Sequence, residues 1–299
     1  MNTPLIAGFI GLLVLIMPAP AQEAPPDLAA VMTAREEAAS KLNYQEGEIV
    51  LDDGLATVHV PPTLRYLDAQ DTDFVITKLW GNPEGAKTLG MLVPAGASPA
   101  SKDGWGVIIT FENDGYVKDD DAAKIDYNDL LKTMQEGTGE ANKERVKAGY
   151  PSIELVGWAA TPHYDSAAKK LHWAKELGFG GDSEHTLNYN IRVLGRRGVL
   201  VLNAVAAMSQ LPEIESVMPT IINAVEFNEG HRYADFDKSS DKIAAYGLTG
   251  LIAGGILAKT GLFAKLGLIL AKGAKLIILA VAAIGAGISK LFRKKQSSV

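Results

Sequence analysis

The residues of this sequence that are best suited to chemistry are two asparagines and three arginines within ten positions. Asn188, Asn190 and Arg192 alternate along one run, and Arg196 and Arg197 follow it. A guanidinium offers a planar fork of N–H donors that matches a carboxylate or a phosphate, and amides add further donors. The grouping predicts a positive spot that binds such an anion in a ligand or partner. The alternative is structural, because the arginines can instead pair with the chain's surplus acids.

No other polar grouping has a catalytic or metal-binding pattern. The five histidines lack H-E-x-x-H or a comparable spacing, and the chain has no cysteine. Carboxylates at Asp114 and 119–121 are of a type that calcium prefers, but the calcium-loop pattern is missing, and helix capping with a favourable helix dipole explains them without a metal. Two S-x-x-K runs lack the companion motifs of serine acyl-enzymes. We therefore expect no cofactor, no metal site and no enzymatic activity.

The asparagines and arginines lie in the stretch around which the fold is organised, Thr186–Ala206. Apolar and polar residues alternate from Leu187 to Val193, which predicts a strand with one buried face. Residues 195–198 predict a hairpin turn in which the glycines take positive φ. Val199–Ala206 is apolar almost throughout, as in a central strand that is covered on both sides.

Around this hairpin the sequence predicts an α+β fold with a mainly antiparallel sheet and two or three packing helices. Pro212–Ala224 carries apolar residues at helical spacing, and Val225–Phe227 follows as a short strand. The polar stretch Asp119–Gly149 is predicted to be a helix that Gly137 and Gly139 break or kink.

The chain divides into four parts by composition and charge. Residues 1–21 contain an apolar run followed by an A-x-A pattern, which predicts a secretory signal peptide. Residues 22–45 are predicted to be an N-terminal helical segment, and residues 46–240 an exported α+β domain. The net charge is −14 over residues 22–240 and +8 over residues 241–299. An acidic body with a basic, apolar tail is typical of membrane association and argues against nucleic acid as a partner.

The tail, residues 241–299, is predicted to contact the lipid bilayer in two ways. Residues 243–258 form a run of 16 residues without a charge, long enough as a helix (~24 Å) to cross with flanking lysines that reach the headgroups. The predicted anchor residues are Ile243, Leu248, Leu251, Ile252, Ile256 and Leu257. The basic residues predicted to lie at the membrane surface on an amphipathic helix are Lys265, Lys272, Lys275, Lys290, Arg293, Lys294 and Lys295. A second short span at 276–289 is the alternative.

Longer motifs give the chain a resemblance to a known family. They include Trp80-Gly81-Asn82-Pro83, Leu89-Gly90-Met91-Leu92-Val93-Pro94, Leu155-Val156-Gly157-Trp158-Ala159, Trp173-Ala174-Lys175-Glu176-Leu177 and Tyr233-Ala234-Asp235-Phe236. From roughly Glu46 to the C-terminus the chain resembles the DUF2167 family of bacterial membrane-anchored proteins of unknown function. The resemblance implies an exported domain tethered by a C-terminal hydrophobic segment, and it transfers no catalytic residue. The order of elements is also similar to the Mog1/PsbP type of α+β sandwich.

These features predict a protein of the inner (cytoplasmic) membrane whose soluble domain faces the periplasm. The favoured function is a non-enzymatic binding or scaffold module of the cell envelope, with an envelope protein as its partner and the tail 241–299 in the bilayer. The alternative is that the C-terminal helices assemble in or remodel the membrane, as a homo-oligomer, under control of the soluble domain.

Overall fold

The computed structural model describes residues 28–82, 87–101, 104–147, 151–180 and 183–254. The predicted signal peptide and the tail predictions from Ile256 onward, which include all seven basic membrane-surface residues, lie outside these ranges. Within them, no helix combines the length and the apolar character that a membrane crossing requires.

The helices and strands alternate irregularly along the chain. The helices are α1 (Leu28–Ala39), α2 (Ala69–Phe74), α3 (Tyr127–Lys147), α4 (Leu211–Ala224) and α5 (Leu248–Ala253). The strands are β1 (Gly47–Leu51), β2 (Ala56–Val60), β3 (Leu64–Leu67), β4 (Gly90–Pro94), β5 (Gly106–Glu112), β6 (Tyr116–Lys118), β7 (Ile153–Asp165), β8 (Lys170–Phe179), β9 (Thr186–Leu194), β10 (Val199–Ala207), β11 (Val225–Phe227) and β12 (Ile243–Gly247).

The fold is built on a seven-stranded sheet with the strand order β3-β4-β5-β10-β9-β8-β7. Every neighbouring pair in this sheet is antiparallel. A small sheet, β1-β2-β11, is also antiparallel, whereas β6 and β12 pair in parallel. The predicted hairpin forms β9 and β10 at the centre of the large sheet. The predicted α+β class with a mainly antiparallel sheet is confirmed.

The glycines of the hairpin turn are required for a reason other than the predicted positive φ. Neither Gly195 nor Gly198 has a positive φ. A Cβ at Gly198 would collide with the carbonyl oxygen of Glu112, and one at Gly195 would collide with the ring of Phe227. The two glycines are therefore required by the close approach of neighbouring elements.

The predicted break in the long polar helix is wrong, because α3 continues through both of its glycines. Side chains on α3 supply hydrogen bonds to the edge strand β7 that hold the helix along it. Asn142 donates to the carbonyl of Ile153 (2.6 Å) and accepts from its amide (2.8 Å). The Gln135 amide donates to the carbonyls of Leu155 and Val156, each at 3.1 Å. These contacts satisfy backbone groups of β7 that a sheet edge otherwise leaves open.

Both faces of the large sheet are covered, as the apolar sequence of β10 predicts. On the first face, Leu187, Tyr189 and Ile191 pack with α4 and with the small sheet in one buried cluster. On the second face, Leu171, Trp173 and residues of α3 and α5 form another cluster, while α1 and α2 cover the β3–β4 side.

The segment 243–253 belongs to this folded domain, which corrects the prediction that an apolar helix begins at Ile243. Ile243–Gly247 is strand β12, paired with β6, and Leu248–Ala253 is the short helix α5. Leu248, Leu251 and Ile252 are buried in the second-face cluster, whereas Ile243 is 41% exposed. Their apolar character therefore serves packing against the sheet, a use that charge-free sequence alone does not distinguish from a membrane span.

Candidate functional site

The structure divides the five predicted binding residues into two groups. Arg196 and Arg197 sit in the turn of the β9–β10 hairpin, where both bind the carboxylate of Asp241. The Nε–Oδ distances are 2.7 Å from Arg196 and 3.3 Å from Arg197. Only 1% of the Asp241 side chain is exposed, and hydrogen bonds from Arg196 and from the Asp237 amide lower the pKa of Asp241 to about 2. For this pair of arginines, the structure therefore supports the structural alternative, pairing with an acid of the same chain.

Asn188, Asn190 and Arg192 share one face of β9, as their alternation predicts, and this is the second face of the sheet. The opposing residues on β10 in the antiparallel register are Val205, Asn203 and Val201, in that order. The Asn190 amide donates to the backbone carbonyl and to Oδ1 of Asn188, both at 2.9 Å. The Asn188 amide nitrogen has no acceptor among the described residues.

Arg192 lies over the indole ring of Trp173, with Cζ 5.0 Å from the ring centroid. Its Nη1 donates to the Ile191 carbonyl (2.9 Å) and to Oδ1 of Asn203 (3.1 Å). Its Nε and Nη2 donate to no described group. Burial lowers the pKa of Arg192 to about 10, although the negative charge of Glu112 acts in the opposite direction. One edge of the guanidinium fork, Nε with Nη2, thus remains free for bidentate binding.

Lys175 and Trp173 complete the site, and the sequence analysis did not predict either of them as a binding residue. In the β8–β9 register Lys175 is opposite Asn188 and Trp173 is opposite Asn190, so all four side chains share the second face. Lys175 has no hydrogen bond or ion pair with a described residue. Burial and the positive charge of Arg192 lower its pKa to about 8. The Trp173 side chain is buried, and its Nε1 has no hydrogen-bond partner.

The five residues Trp173, Lys175, Asn188, Asn190 and Arg192 are called the basic sheet face below. The unused donors are the Arg192 Nε–Nη2 edge, the Lys175 ammonium, the Asn188 amide and the Trp173 indole N–H. Neither cation forms an ion pair with a carboxylate of the described residues, and an unpaired charge that is partly removed from water costs free energy. Unused N–H donors, two of them on positively charged side chains, match the acceptor oxygens and negative charge of a carboxylate or a phosphate.

A cavity of about 590 Å³ lies at one end of the basic sheet face. Its walls include Thr186 and Val205, which belong to β9 and β10, together with Trp80 and Gln210. Val205 is the register partner of Asn188, so the cavity lies next to the residue pair that carries the unused Asn188 amide. A group larger than a single carboxylate or phosphate therefore has space beside the charges.

Three of the four carboxylates considered for calcium, Asp114, Asp119 and Asp121, have hydrogen-bond partners among the described residues. Asp119 accepts hydrogen bonds from Lys169 (2.8 Å), Tyr164 (2.6 Å) and Tyr233 (3.0 Å). Asp121 accepts from the backbone amides of the first residues of α5, at 3.0 Å each, and so caps a helix distant in sequence. In the described ranges no cluster of three or more histidines and acids has metal-binding geometry. Capping, the expected alternative to calcium, accounts for Asp121.

The model of the family described as "Protein of unknown function (DUF2167)" matches residues 43–285 of this chain. No curated protein gives a significant match.

Three solved structures resemble parts of the fold. Cyanobacterial PsbP (CyanoP) from Synechocystis sp. PCC 6803 is 12% identical, with a TM-score of 0.33 over 60% of this chain and 91% of its own. The Ran-binding protein Mog1p of Saccharomyces cerevisiae is 10% identical, with a TM-score of 0.34 over 66% and 100%. LpqN, involved in cell envelope biogenesis of Mycobacterium tuberculosis, is 17% identical, with a TM-score of 0.32 over 64% and 96%. PsbP and Mog1 are the two types that the order of elements predicted, but TM-scores this low identify neither a ligand nor a partner.

Proposed function

This chain belongs to the DUF2167 family of proteins of unknown function, and we propose that it is a non-enzymatic binding module of the cell envelope. Its ligand carries a carboxylate or a phosphate, which binds on the basic sheet face. The observation that carries the proposal is the pair Lys175 and Arg192, two partly buried cations on one sheet face without a carboxylate partner among the described residues.

The free edge of Arg192 receives two oxygens of the anion, and Lys175 neutralises the remaining charge. The Asn188 amide and the Trp173 indole complete the hydrogen bonding, because both have unused N–H groups. Residues 255–299 contain no Asp or Glu. The side chains of residues 255–299 therefore cannot supply the anion, and in this proposal a separate molecule brings it.

Isothermal titration of the full-length protein in detergent, with sodium phosphate and with sodium succinate as probes, tests this function. We expect one of the two anions to bind, and the variants Lys175→Met and Arg192→Gln to bind it at least tenfold more weakly. Arg197→Gln is the matched control, because Arg197 is 59% exposed in the hairpin turn and outside the basic sheet face. Equal losses in all three variants, or no binding of either probe by the wild type, would refute the proposal.

We further propose that the domain is exported to the periplasm and held at the inner membrane by residues 255–299. The support is the apolar run and A-x-A pattern at the N-terminus and the contrast between an acidic body and a basic tail. Since α5 uses residues up to Ala253 in the fold, the longest charge-free run left is 276–289, with 14 residues. A span requires about 20 residues, so attachment at the membrane surface is favoured.

Fractionation of cells that make the full-length protein tests this location. We expect the protein in the membrane fraction, digested by protease added to spheroplasts and released by alkaline carbonate. Recovery in the cytosol with residue 1 still present would contradict it. The alternative, in which the tail remodels the membrane, concerns residues outside the described ranges, and leakage of dye from anionic vesicles on adding the full-length protein would favour it.

A further inference from the structure

Two histidines lie side by side on the first face of the sheet, opposite to the basic sheet face. His163 on β7 and His172 on β8 are direct partners in the antiparallel register, so their side chains point to the same side. Their ring centroids are 5.4 Å apart and the ring planes are inclined by 54°. The chain positions match no linear metal motif, and only the strand register brings the two rings together.

This separation matches two imidazoles bound to one metal ion. A zinc–nitrogen bond of about 2.0–2.1 Å puts each ring centre roughly 3.2 Å from the metal, and a tetrahedral angle then puts the two centres ~5.2 Å apart. The observed 5.4 Å requires little movement of either side chain. Parallel stacking at van der Waals distance would instead give a smaller angle between the rings.

The surroundings of the pair favour a metal over a simple packing contact. The Tyr189 hydroxyl lies 3.0 Å from Nδ1 of His172, which fixes that ring and leaves Nε2 as the nitrogen available to a ligand. A hydrogen bond of this kind to the second nitrogen is usual for metal-binding histidines. His163 is exposed, so an ion can enter from solvent.

The two rings border a cavity of about 420 Å³ between the sheet and α4, which is also lined by Asp165, Glu215 and Lys170. The Lys170 ammonium donates to the carbonyl of Ile222 at 2.7 Å and is thus held at the end of α4. Asp165 and Glu215 add negative charge around the cavity. No third protein ligand has metal-binding geometry with the pair in the described ranges, so the remaining coordination positions belong to water or to an external ligand.

We propose that His163 and His172 form a two-histidine site for a divalent transition-metal ion, Zn²⁺ or Cu²⁺, at the mouth of this cavity. The site is independent of the proposed anion binding, because it lies on the other face of the sheet. The proposal departs from the expectation, drawn from sequence spacing, that the chain has no metal site.

The test uses the full-length protein in detergent, purified without a histidine tag and titrated with Cu²⁺ and with Zn²⁺. We expect one Cu²⁺ per chain, with nitrogen hyperfine splitting from two imidazoles in the electron paramagnetic resonance spectrum. His163→Gln and His172→Gln are each expected to weaken binding of both ions at least tenfold. His59→Gln is the matched control, because His59 is exposed on β2 beside Glu48, away from this cavity.

Substitution of the exposed His163 is compatible with folding, and thermal unfolding of each variant checks this. Tyr189→Phe should weaken binding less than loss of either histidine, since it removes only the hydrogen bond to the ring. Binding that is unchanged in His163→Gln and His172→Gln, or a spectrum without two-nitrogen splitting, would overturn the proposal. Failure of wild-type protein to bind either ion at millimolar concentration would do so as well.

Discussion

Replacing Lys175 by methionine should make the folded domain more stable, although it removes a charged side chain of ordinary length. Burial and the charge of Arg192 hold the pKa of Lys175 at about 8, against 10.5 for a lysine in water. At ~1.4 kcal/mol for each tenfold change in the proton equilibrium, this difference corresponds to about 3 kcal/mol against the charged form. Lys175 is only partly buried by surface area, so we expect a gain of about 1–3 kcal/mol at pH 7, because methionine fills similar volume without an unpaired charge.

The same substitution should change the pH dependence of stability. Since the pKa of Lys175 is lower in the folded than in the unfolded chain, the unfolded chain binds more protons between about pH 8 and 10.5. The free energy of unfolding of the wild type should therefore rise across that range, and this contribution should be absent in Lys175→Met. Urea unfolding of the full-length protein in detergent at pH 7, 8, 9 and 10, followed by tryptophan fluorescence, measures both effects.

Lys132→Met is the matched control, because Lys132 is exposed on α3. It should change the free energy of unfolding by less than about 0.5 kcal/mol at every pH. A Lys175→Met variant that is less stable than the wild type would refute the reasoning, since it would mean that the ammonium is satisfied in the folded protein. So would a pH profile identical to that of the wild type.

Two further predictions concern the C-terminal part of the domain. Leu248→Ala should lower the free energy of unfolding by about 2–5 kcal/mol because Leu248 is fully buried. Ile243→Ala should have only a small effect, because Ile243 is 41% exposed. Equally small effects of both substitutions in urea unfolding would contradict the packing of this segment in the domain and favour the membrane span. Arg196→Gln should destabilise the domain above pH 4, and its deficit relative to the wild type should disappear as pH falls to about 2, where Asp241 becomes protonated in the fold. Acid unfolding followed by circular dichroism checks this, and a deficit that persists at pH 2 would contradict the role of the Asp241 pairing.

Periodicity in the sequence identified the central hairpin and the face that each of its residues occupies. Alternation from Leu187 to Val193 placed Asn190 and Arg192 together on one side of β9, as the structure confirms. This part was predictable because a strand has a repeat of two and depends only on neighbours in sequence. The α+β class followed for the same reason, from strands and helices recognised one at a time.

The composition of the site depended on strand register, which sequence periodicity does not fix. Lys175 joins Asn188 only because β8 and β9 pair in the observed register. In the same way, Arg196 is not part of the site because it pairs with Asp241. This residue lies 44 positions after Arg197 in the sequence but next to the hairpin turn in the fold. The sequence analysis grouped the three arginines because they are close in sequence. In the fold, the cations that lie together are those on the same sheet face at neighbouring register positions.

The contrast between the two groups of arginines gives the strongest reason to connect the basic sheet face with function. The domain has acids in excess, and the fold delivers one of them, Asp241, to the arginines of the turn. It delivers none in the described residues to Arg192 and Lys175, which are more buried and so need a counter-charge more. Among the described residues, the fold thus pairs the arginines of the turn but not the two cations of the basic sheet face, and an unpaired, partly buried charge lowers stability. The proposed anion from another molecule would offset that cost on binding, so the free energy of unfolding should rise as the ligand concentration rises.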